Sequence, residues 1–344
     1  MESKRGRGAL ANRPAPPALL LGGEHGEEHG GESGRGCCRL VPLSPASPPA
    51  RGALLALALG LAAISTGALF ARLADAPPLA LSFWRCAIAG GLLLLVAAPK
   101  LRRELAGLTR GDRGWVLLSG AFLALHFASW ISSLDYTTVA SSVLLVNTSP
   151  IWVALFSPWL TGERVSRRLA LGIGLAVVGS ALVAGADLEL GRKALWGDLL
   201  AVVGALAASG YLLAGRRLRP VLSLSVYTAV VYSTAALFLA PMALLEGSGP
   251  GFSPTTWGWI VLLALVPQLV GHTTANWALF HVSAALVAVS LLGEPILAGL
   301  WAALFLAETP PAAFFVGAPL ILGGILLAAL GEARARARAP SQGH

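Results

Sequence analysis

Residues 149–165 read SPIWVALFSPWLTGERV, and residues 294–310 read EPILAGLWAALFLAETP. In both stretches a proline is followed 13 positions later by a glutamate. Beyond each stretch, two glycines lie nine and 16 positions after that glutamate. The repeated block runs from Leu134 to Ala184 and returns 145 positions later. Internal repetition within apolar sequence is typical of secondary transporters. The landmark pairs are Pro150 and Pro295, Glu163 and Glu308, Gly172 and Gly317, and Gly179 and Gly324.

The composition excludes a soluble protein. Hydrophobic residues make up 56% of the 344 positions, charged residues 12%, and the mean hydropathy is +0.72. Soluble domains carry about twice that share of charge. Apolar runs of about 20 residues, long enough to cross a bilayer, recur along the chain. The sequence therefore predicts an all-α integral membrane protein with ten transmembrane helices, at about 53–71, 79–98, 115–134, 138–158, 169–186, 197–215, 221–244, 257–279, 284–306 and 312–331.

The net charge of +8 follows the predicted membrane topology and does not indicate nucleic-acid binding. If the N-terminus is cytoplasmic, 21 of the 25 lysines and arginines lie in cytoplasmic segments. The positive-inside rule then predicts that both termini are cytoplasmic. Three lysines against 22 arginines, with abundant Ala and Gly, indicate a GC-rich genome and favour a bacterial inner membrane, while organelle membranes stay open.

Five helices per copy is an odd number, so the second copy must enter the membrane from the opposite side. Inverted repeats of this kind expose one central site alternately to each side. We predict a disordered cytoplasmic tail over 1–51, a first five-helix repeat over 52–187, a second over 196–331, and a basic cytoplasmic tail over 332–344.

Neither a metal nor a cofactor is expected. The N-terminal stretch GEHGEEHGGE at 23–32 has two histidines among four glutamates, but it lacks a compact ligand spacing. The chain also lacks the Gly-x-x-x-x-Gly-Lys-Ser/Thr phosphate loop of an ATPase. Transport would therefore draw on a proton or counter-substrate gradient.

The order of motifs resembles the EamA-type branch of the drug/metabolite transporter superfamily over roughly 53–330. The first half contains PLALSFWRCAIAG at 78–90, and the second opens with Trp196-Gly-Asp198 and continues to Tyr211 and RRLR at 216–219. Each half then closes on the proline, glutamate and glycine landmarks. The resemblance implies ten helices in two repeats, a central cavity, and export or exchange of small metabolites such as amino acids.

The two copies differ at two positions. Ser149 stands where the second copy has Glu294, and Ala307 where the first has Gly162. The first difference makes the two halves chemically unequal, so the role of Glu294 must be argued from its own chemistry.

Glu294 and Arg85 are the main candidates for substrate binding or coupling. A charged residue near the centre of helix nine costs about 2.5–3.5 kcal/mol to insert, so Glu294 should face a cavity or a partner. It is then a proton carrier or a counter-ion, unless it only bonds a neighbouring helix. Arg85 either extends to the outer interface or faces the cavity, where it pairs with Glu294 or binds a substrate carboxylate in bidentate fashion.

Two histidines and several neutral side chains extend this candidate site. His126 and His272 lie at membrane depth, where an imidazole suits proton coupling or bridges two helices. Glu163 and Glu308 are interpreted as structural, capping or bracing the helix that follows. The landmark glycines are interpreted as close helix contacts. Further candidates for the cavity wall are Trp130, Tyr136, Asn147, Tyr211, Tyr227, Gln268 and Asn276.

The function predicted from these features is secondary active transport of a small polar metabolite, with export or exchange left open. A membrane-embedded enzyme would need a clustered nucleophile and base or paired aspartates, and Asp135 and Asp198 lie near helix ends. A receptor or scaffold without transport is the remaining alternative. We therefore expect a small-molecule substrate and a lipid bilayer as partners, with no enzymatic activity.

Overall fold

A computed structural model describes residues 51–137, 139–184, 192–246, 249–306 and 312–338, and the regular elements in these ranges are helices. The predicted N-terminal tail lies almost entirely outside the described residues, as does Glu308. The elements are α1 Arg51–Ile64, α2 Gly67–Ala74, α3 Pro78–Ala106, α4 Arg110–Ser133, α5 Val139–Val146, α6 Ser149–Leu160, α7 Arg167–Ala184, α8 Arg192–Leu218, α9 Leu224–Leu245, α10 Pro254–Leu263, a π segment Ala264–His272, α11 Thr273–His281, α12 Ala284–Leu291, α13 Glu294–Leu306 and α14 Ala312–Arg338.

Eight helical segments in the described ranges are long and apolar enough to cross a membrane. The predicted fourth helix corresponds to α5 and α6, where the apolar helix Leu144–Leu160 is shorter, and the predicted fifth to α7. The count of ten therefore stays a prediction. Outward-facing Leu95, Leu237 and Leu245 are 75%, 74% and 89% exposed, as expected of side chains that face lipid.

Three of the predicted spans are interrupted helices. The first breaks between α1 and α2, the fourth between α5 and α6, and the ninth between α12 and α13. Pro150 is the second residue of α6 and Pro295 the second of α13. Proline has no N–H to donate and is tolerated in the first turn of a helix, so each repeated proline marks the start of a half-helix.

This break defines the position of Glu294. The sequence predicts it near the centre of helix nine, and it lies at the middle of the apolar segment Ala284–Phe305. Within that segment it is the first residue of α13, because Pro295 cannot continue the hydrogen-bond ladder of the preceding turn. Ser149 begins α6 in the same way, so the two unequal residues of the repeats both start half-helices.

The predicted eighth helix contains a π segment that the sequence did not indicate. It covers nine residues between α10 and α11 and includes Pro267. A proline inside a helix leaves a carbonyl without its usual donor, and one wider turn relieves the clash. Such turns occur frequently at functional sites.

α3 and α14 extend furthest beyond their predicted C-terminal ends. α3 continues to Ala106 through the charged stretch that begins at Lys100, and α14 continues to Arg338 through the predicted tail. Basic residues near a helix C-terminus interact favourably with the helix dipole. Alternating Ala and Arg from 334 to 338 are strong helix formers, which extends α14 past residue 331.

The landmark glycines bring α7 and α14 together. A Cβ added at Gly172 would lie 2.6 Å from the carbonyl oxygen of Gly324, and one at Gly179 would lie 2.7 Å from that of Gly317. The helices therefore cross antiparallel at backbone contact. Gly172 thus meets Gly324, the counterpart of Gly179, and Gly179 meets Gly317, the counterpart of Gly172. A two-fold axis between the copies produces this exchange.

A candidate substrate cavity

Broken helices and the π segment surround one cavity of about 70 Å³. Its wall contains both helix breaks that precede the repeated prolines. The lining residues are Ile64, Gly67, Arg85, His126, Phe127, Trp130, Val146, Asn147, Ser149, Ala208, Tyr211, Leu212, His272, Ala275, Leu291 and Glu294.

Seven of the eight residues that the sequence singled out as substrate or coupling candidates line this cavity. The eighth, Asn276, lies behind it and bonds to Tyr211. Of the further residues considered, Gln268 contacts Arg85, whereas Tyr136 and Tyr227 are not in the lining. The seven candidates in the wall are Arg85, His126, Trp130, Asn147, Tyr211, His272 and Glu294.

Arg85 is an interior residue with only 2% of its surface exposed. Its Nε donates a hydrogen bond to Oε1 of Gln268 at 3.0 Å, and its Cζ lies 4.0 Å from the centre of the Phe127 ring. The extension to the outer interface that the sequence allowed does not occur. A guanidinium has five N–H donors, and this bond to Gln268 is the one that Arg85 makes within the described ranges.

Glu294 supplies the opposite charge in the same wall. Among the residues that the structure describes, its carboxylate has no hydrogen-bond partner, and no N–O distance of 4.0 Å or less joins it to Arg85. The two groups therefore face one space without neutralising each other by contact. A cation and an anion held apart across a small cavity suit a ligand that carries both charges.

Two histidines belong to an aromatic cluster beside Arg85. Nδ1 of His126 lies 3.0 Å from the carbonyl oxygen of Gly204, and its ring stacks parallel to Trp130 at a centroid distance of 6.0 Å. His272 meets the Phe127 ring edge-on at 5.4 Å. The imidazoles are thus held by packing and by one backbone contact, and both line the cavity.

Two buried donors in the cavity wall have no protein partner among the described residues. They are Nε1 of Trp130 and Nδ2 of Asn147. A buried polar group without a hydrogen bond costs about 1–3 kcal/mol. A ligand with acceptor oxygens would satisfy both groups, and so would ordered water.

A tyrosine network lies behind the wall. Nδ2 of Asn276 donates to the hydroxyl oxygens of Tyr211 and Tyr232, and also to the carbonyl oxygen of His272 at 2.8 Å. The backbone oxygen of Asn276 accepts from Nε of Arg219 at 3.0 Å. Asn276 therefore connects the cavity to the chain beyond the end of α8.

We call the end of the bundle that holds the α6–α7 and α11–α12 connections the inner end. There Oε1 of Glu163 pairs with Nε of Arg216 at 2.6 Å, and Oε2 accepts from the backbone N–H of Ala284 at 3.3 Å. Nη1 of Arg216 also donates to the carbonyl oxygen of Leu279 at 2.6 Å. Ser283 donates to Glu332 from its N–H and its hydroxyl, which ties α14 to the same connection.

Some residues of the site could not be found from the sequence. Phe127 and Tyr232 are ordinary apolar-helix residues until the fold places one under Arg85 and the other beside Asn276. Their contacts join residues more than 40 positions apart, and no local spacing signals such a contact.

The chain matches the model of the EamA-like transporter family twice, over residues 50–185 and 195–330. It belongs to that family. Two matches in one chain agree with the duplication read from the repeated landmarks. The chain is therefore a multi-pass membrane protein of a family of transporters that act on small molecules.

Curated relatives of this chain are transporters. It is 28% identical to an uncharacterized transporter of Archaeoglobus fulgidus, over 74% of this chain and 89% of the relative. It is 28% identical to the pseudopaline exporter CntI of Pseudomonas aeruginosa, over 72% and 85%. It is 27% identical to the aromatic amino acid exporter YddG of Ancylobacter novellus, over 80% and 94%.

A solved crystal structure has the same fold. The superposition gives a TM-score of 0.67 and covers 82% of this chain and 98% of the other, at 24% sequence identity. This likeness supports the helical architecture alone.

Proposed function

We propose that this chain is a secondary active transporter that exports or exchanges a small amino acid or a related zwitterion by alternating access. The observation that carries the proposal is the separation of charge in the cavity. Arg85 has four free N–H donors within the described ranges, and Glu294 has a free carboxylate in the same wall. The proposed architecture is ten helices in two inverted repeats, with both termini on the cytoplasmic side of a bacterial inner membrane.

The cavity chemistry supports a zwitterionic substrate. A carboxylate would be bound by Arg85 and by the free N–H groups of Trp130 and Asn147, and an ammonium by Glu294. Phe127 and Trp130 supply apolar surface for a side chain. Two relatives named as exporters, one of aromatic amino acids and one of pseudopaline, agree with a polar metabolite.

Alternating access is supported by the way the inner end is joined. Glu163 and Arg216 link the α6–α7 connection to the end of α8 and to the α11–α12 connection. These contacts must break for the cavity to open inward. The crossing of α7 and α14 at glycines supplies a common axis about which the two halves rock.

Glu294 is proposed to couple flux to protons. Its carboxylate occupies the cavity without a partner in the described part of the chain, so it alternates between binding a proton and binding the substrate ammonium. Glu294→Gln should abolish the pH dependence of flux while the protein still folds. Equal flux and equal pH dependence in the variant and the wild type would contradict this role.

The test of the transport function is efflux from proteoliposomes. Vesicles are loaded with amino acids, nucleobases, sugars and nucleotide sugars, and the remaining compounds are measured by mass spectrometry with and without a pH gradient. We expect selective loss of amino acids. Retention of every compound, also when the same mixture is supplied outside for exchange, would contradict transport and favour a receptor or scaffold.

A further inference from the structure

The interior amide Gln268 is the feature that the proposed function does not yet use. Gln268 has no exposed surface, lies in the π segment directly after Pro267, and touches Arg85. Nε of arginine is a donor only, so the atom of Gln268 that faces it must be the amide oxygen. Its hydrogen bond of 3.0 Å therefore fixes the orientation of the amide.

The same contact fixes the orientation of the guanidinium. Phe127 packs against its plane with Cζ at 4.0 Å, and Gln268 occupies the Nε edge. A planar guanidinium can bind a carboxylate in bidentate fashion through its Nε edge or through the pair of Nη groups. With the Nε edge taken, the Nη pair is what remains for a ligand in the cavity.

We infer that Gln268 is a positioning residue that presents the Nη pair of Arg85 end-on to the carboxylate of the substrate. The inference rests on the proposed function, because it assumes a substrate with a carboxylate. The π segment carries Gln268 on the helix that packs against α3, and so places its amide beside Arg85. Gln268 thus favours acids over the corresponding amines without touching the substrate.

The chemistry of Gln268 makes the inference testable. Its Nε2 has no partner in the described ranges, so the bond to Arg85 is the one that its side chain makes there. Gln268→Met keeps the length of the side chain and removes the acceptor. Gln268→Glu keeps an acceptor at the same place but adds a negative charge beside the guanidinium that would bind the substrate carboxylate.

The experiment measures transport of three acid–amine pairs by the full chain in proteoliposomes. The pairs are L-alanine with ethylamine, L-leucine with 3-methylbutylamine, and L-phenylalanine with 2-phenylethylamine. The measured quantity is the KM of each acid divided by the KM of its amine. For an acid that the wild type carries, we expect Gln268→Met to raise this ratio about tenfold over the wild-type value, and Gln268→Glu to raise it further. In an Arg85→Lys background, Gln268→Met should add nothing to the loss of preference.

A matched control separates positioning from general loss of structure. Ser119→Ala removes a buried hydrogen bond of 2.9 Å between Ser119 and Tyr227, outside the cavity wall, and should leave the preference for acids unchanged. If wild-type protein carries an acid but Gln268→Met changes acid and amine equally, the inference is overturned and the transport function stands. If the wild type carries none of the acids, the proposed function and the inference both fall.

Discussion

The ion pair at the inner end gives the sharpest prediction about conformational change. Glu163→Gln keeps the shape of the side chain but removes its charge opposite Arg216. It also places an amide either against the N–H of Ala284 or against the guanidinium, since only one amide atom is an acceptor. Under the proposed alternating access, the conformation that contains this ion pair should therefore lose stability relative to one in which the inner end is open.

The magnitude follows from the contacts. The side chain of Glu163 is 18% exposed and that of Arg216 is 11% exposed. The pair is therefore largely shielded from solvent, unlike surface ion pairs, which contribute little to stability. A hydrogen bond to a charged group contributes about 1.5–3 kcal/mol. A loss of about 2 kcal/mol shifts the equilibrium toward the inward-open state about 30-fold.

The assay measures access to the cavity from the inner side. Cys37, Cys38 and Cys86 are replaced by serine, and Ala208 in the cavity wall is replaced by cysteine as the single target. A membrane-impermeant maleimide is then applied to inside-out vesicles. We expect Glu163→Gln to label at least tenfold faster than the parent.

Two further variants control this measurement. Arg216→Gln should accelerate labelling to a similar extent, and the double variant should accelerate it by less than the product of the two single effects, because both substitutions break the same Glu163–Arg216 pair. Glu246→Gln alters a carboxylate that accepts from the N–H of Leu79 at the opposite end, and it should not accelerate labelling from the inner side. Equal labelling rates for folded parent and Glu163→Gln protein, or faster labelling only in right-side-out vesicles, would refute the reasoning.

Three other predictions concern packing and the cavity. Gly179→Ala places a Cβ 2.7 Å from backbone atoms of α14 and should destabilise the protein by about 1–3 kcal/mol, whereas Gly174→Ala on the same helix meets nothing within 4 Å and should be neutral; thermal unfolding in detergent compares them. Trp130→Phe removes an unpartnered donor, so it should leave stability unchanged or slightly higher while weakening amino acid binding about tenfold by titration calorimetry. Arg85→Lys should reduce the preference for acids over amines in the transport assay, because a lysine cannot form the bidentate contact.

The apolar spans, the duplication and seven of the 16 residues in the cavity wall could be predicted from sequence, because each leaves a local mark. A bilayer demands long apolar runs, a repeat keeps its spacing, and a charged or polar residue within an apolar run is costly unless it faces a cavity. Because of that cost, Arg85 and Glu294 could each be identified from the sequence as a candidate for substrate binding or coupling. Pro150 and Pro295 are also visible in the sequence, whereas the helix breaks beside them are seen only in the structure.

Only the tertiary structure decided which of these residues share one space. Phe127 lies under Arg85 and Gln268 beside it through contacts that join distant parts of the chain, and the exchange of Gly172 and Gly179 with their counterparts is a property of helix crossing. The orientation of a guanidinium and the start of a half-helix depend on neighbours that approach in three dimensions. The sequence by itself determined the apolar spans, the repeat and the charged residues inside those spans, and the packing of the helices determined that Arg85 and Glu294 line one cavity.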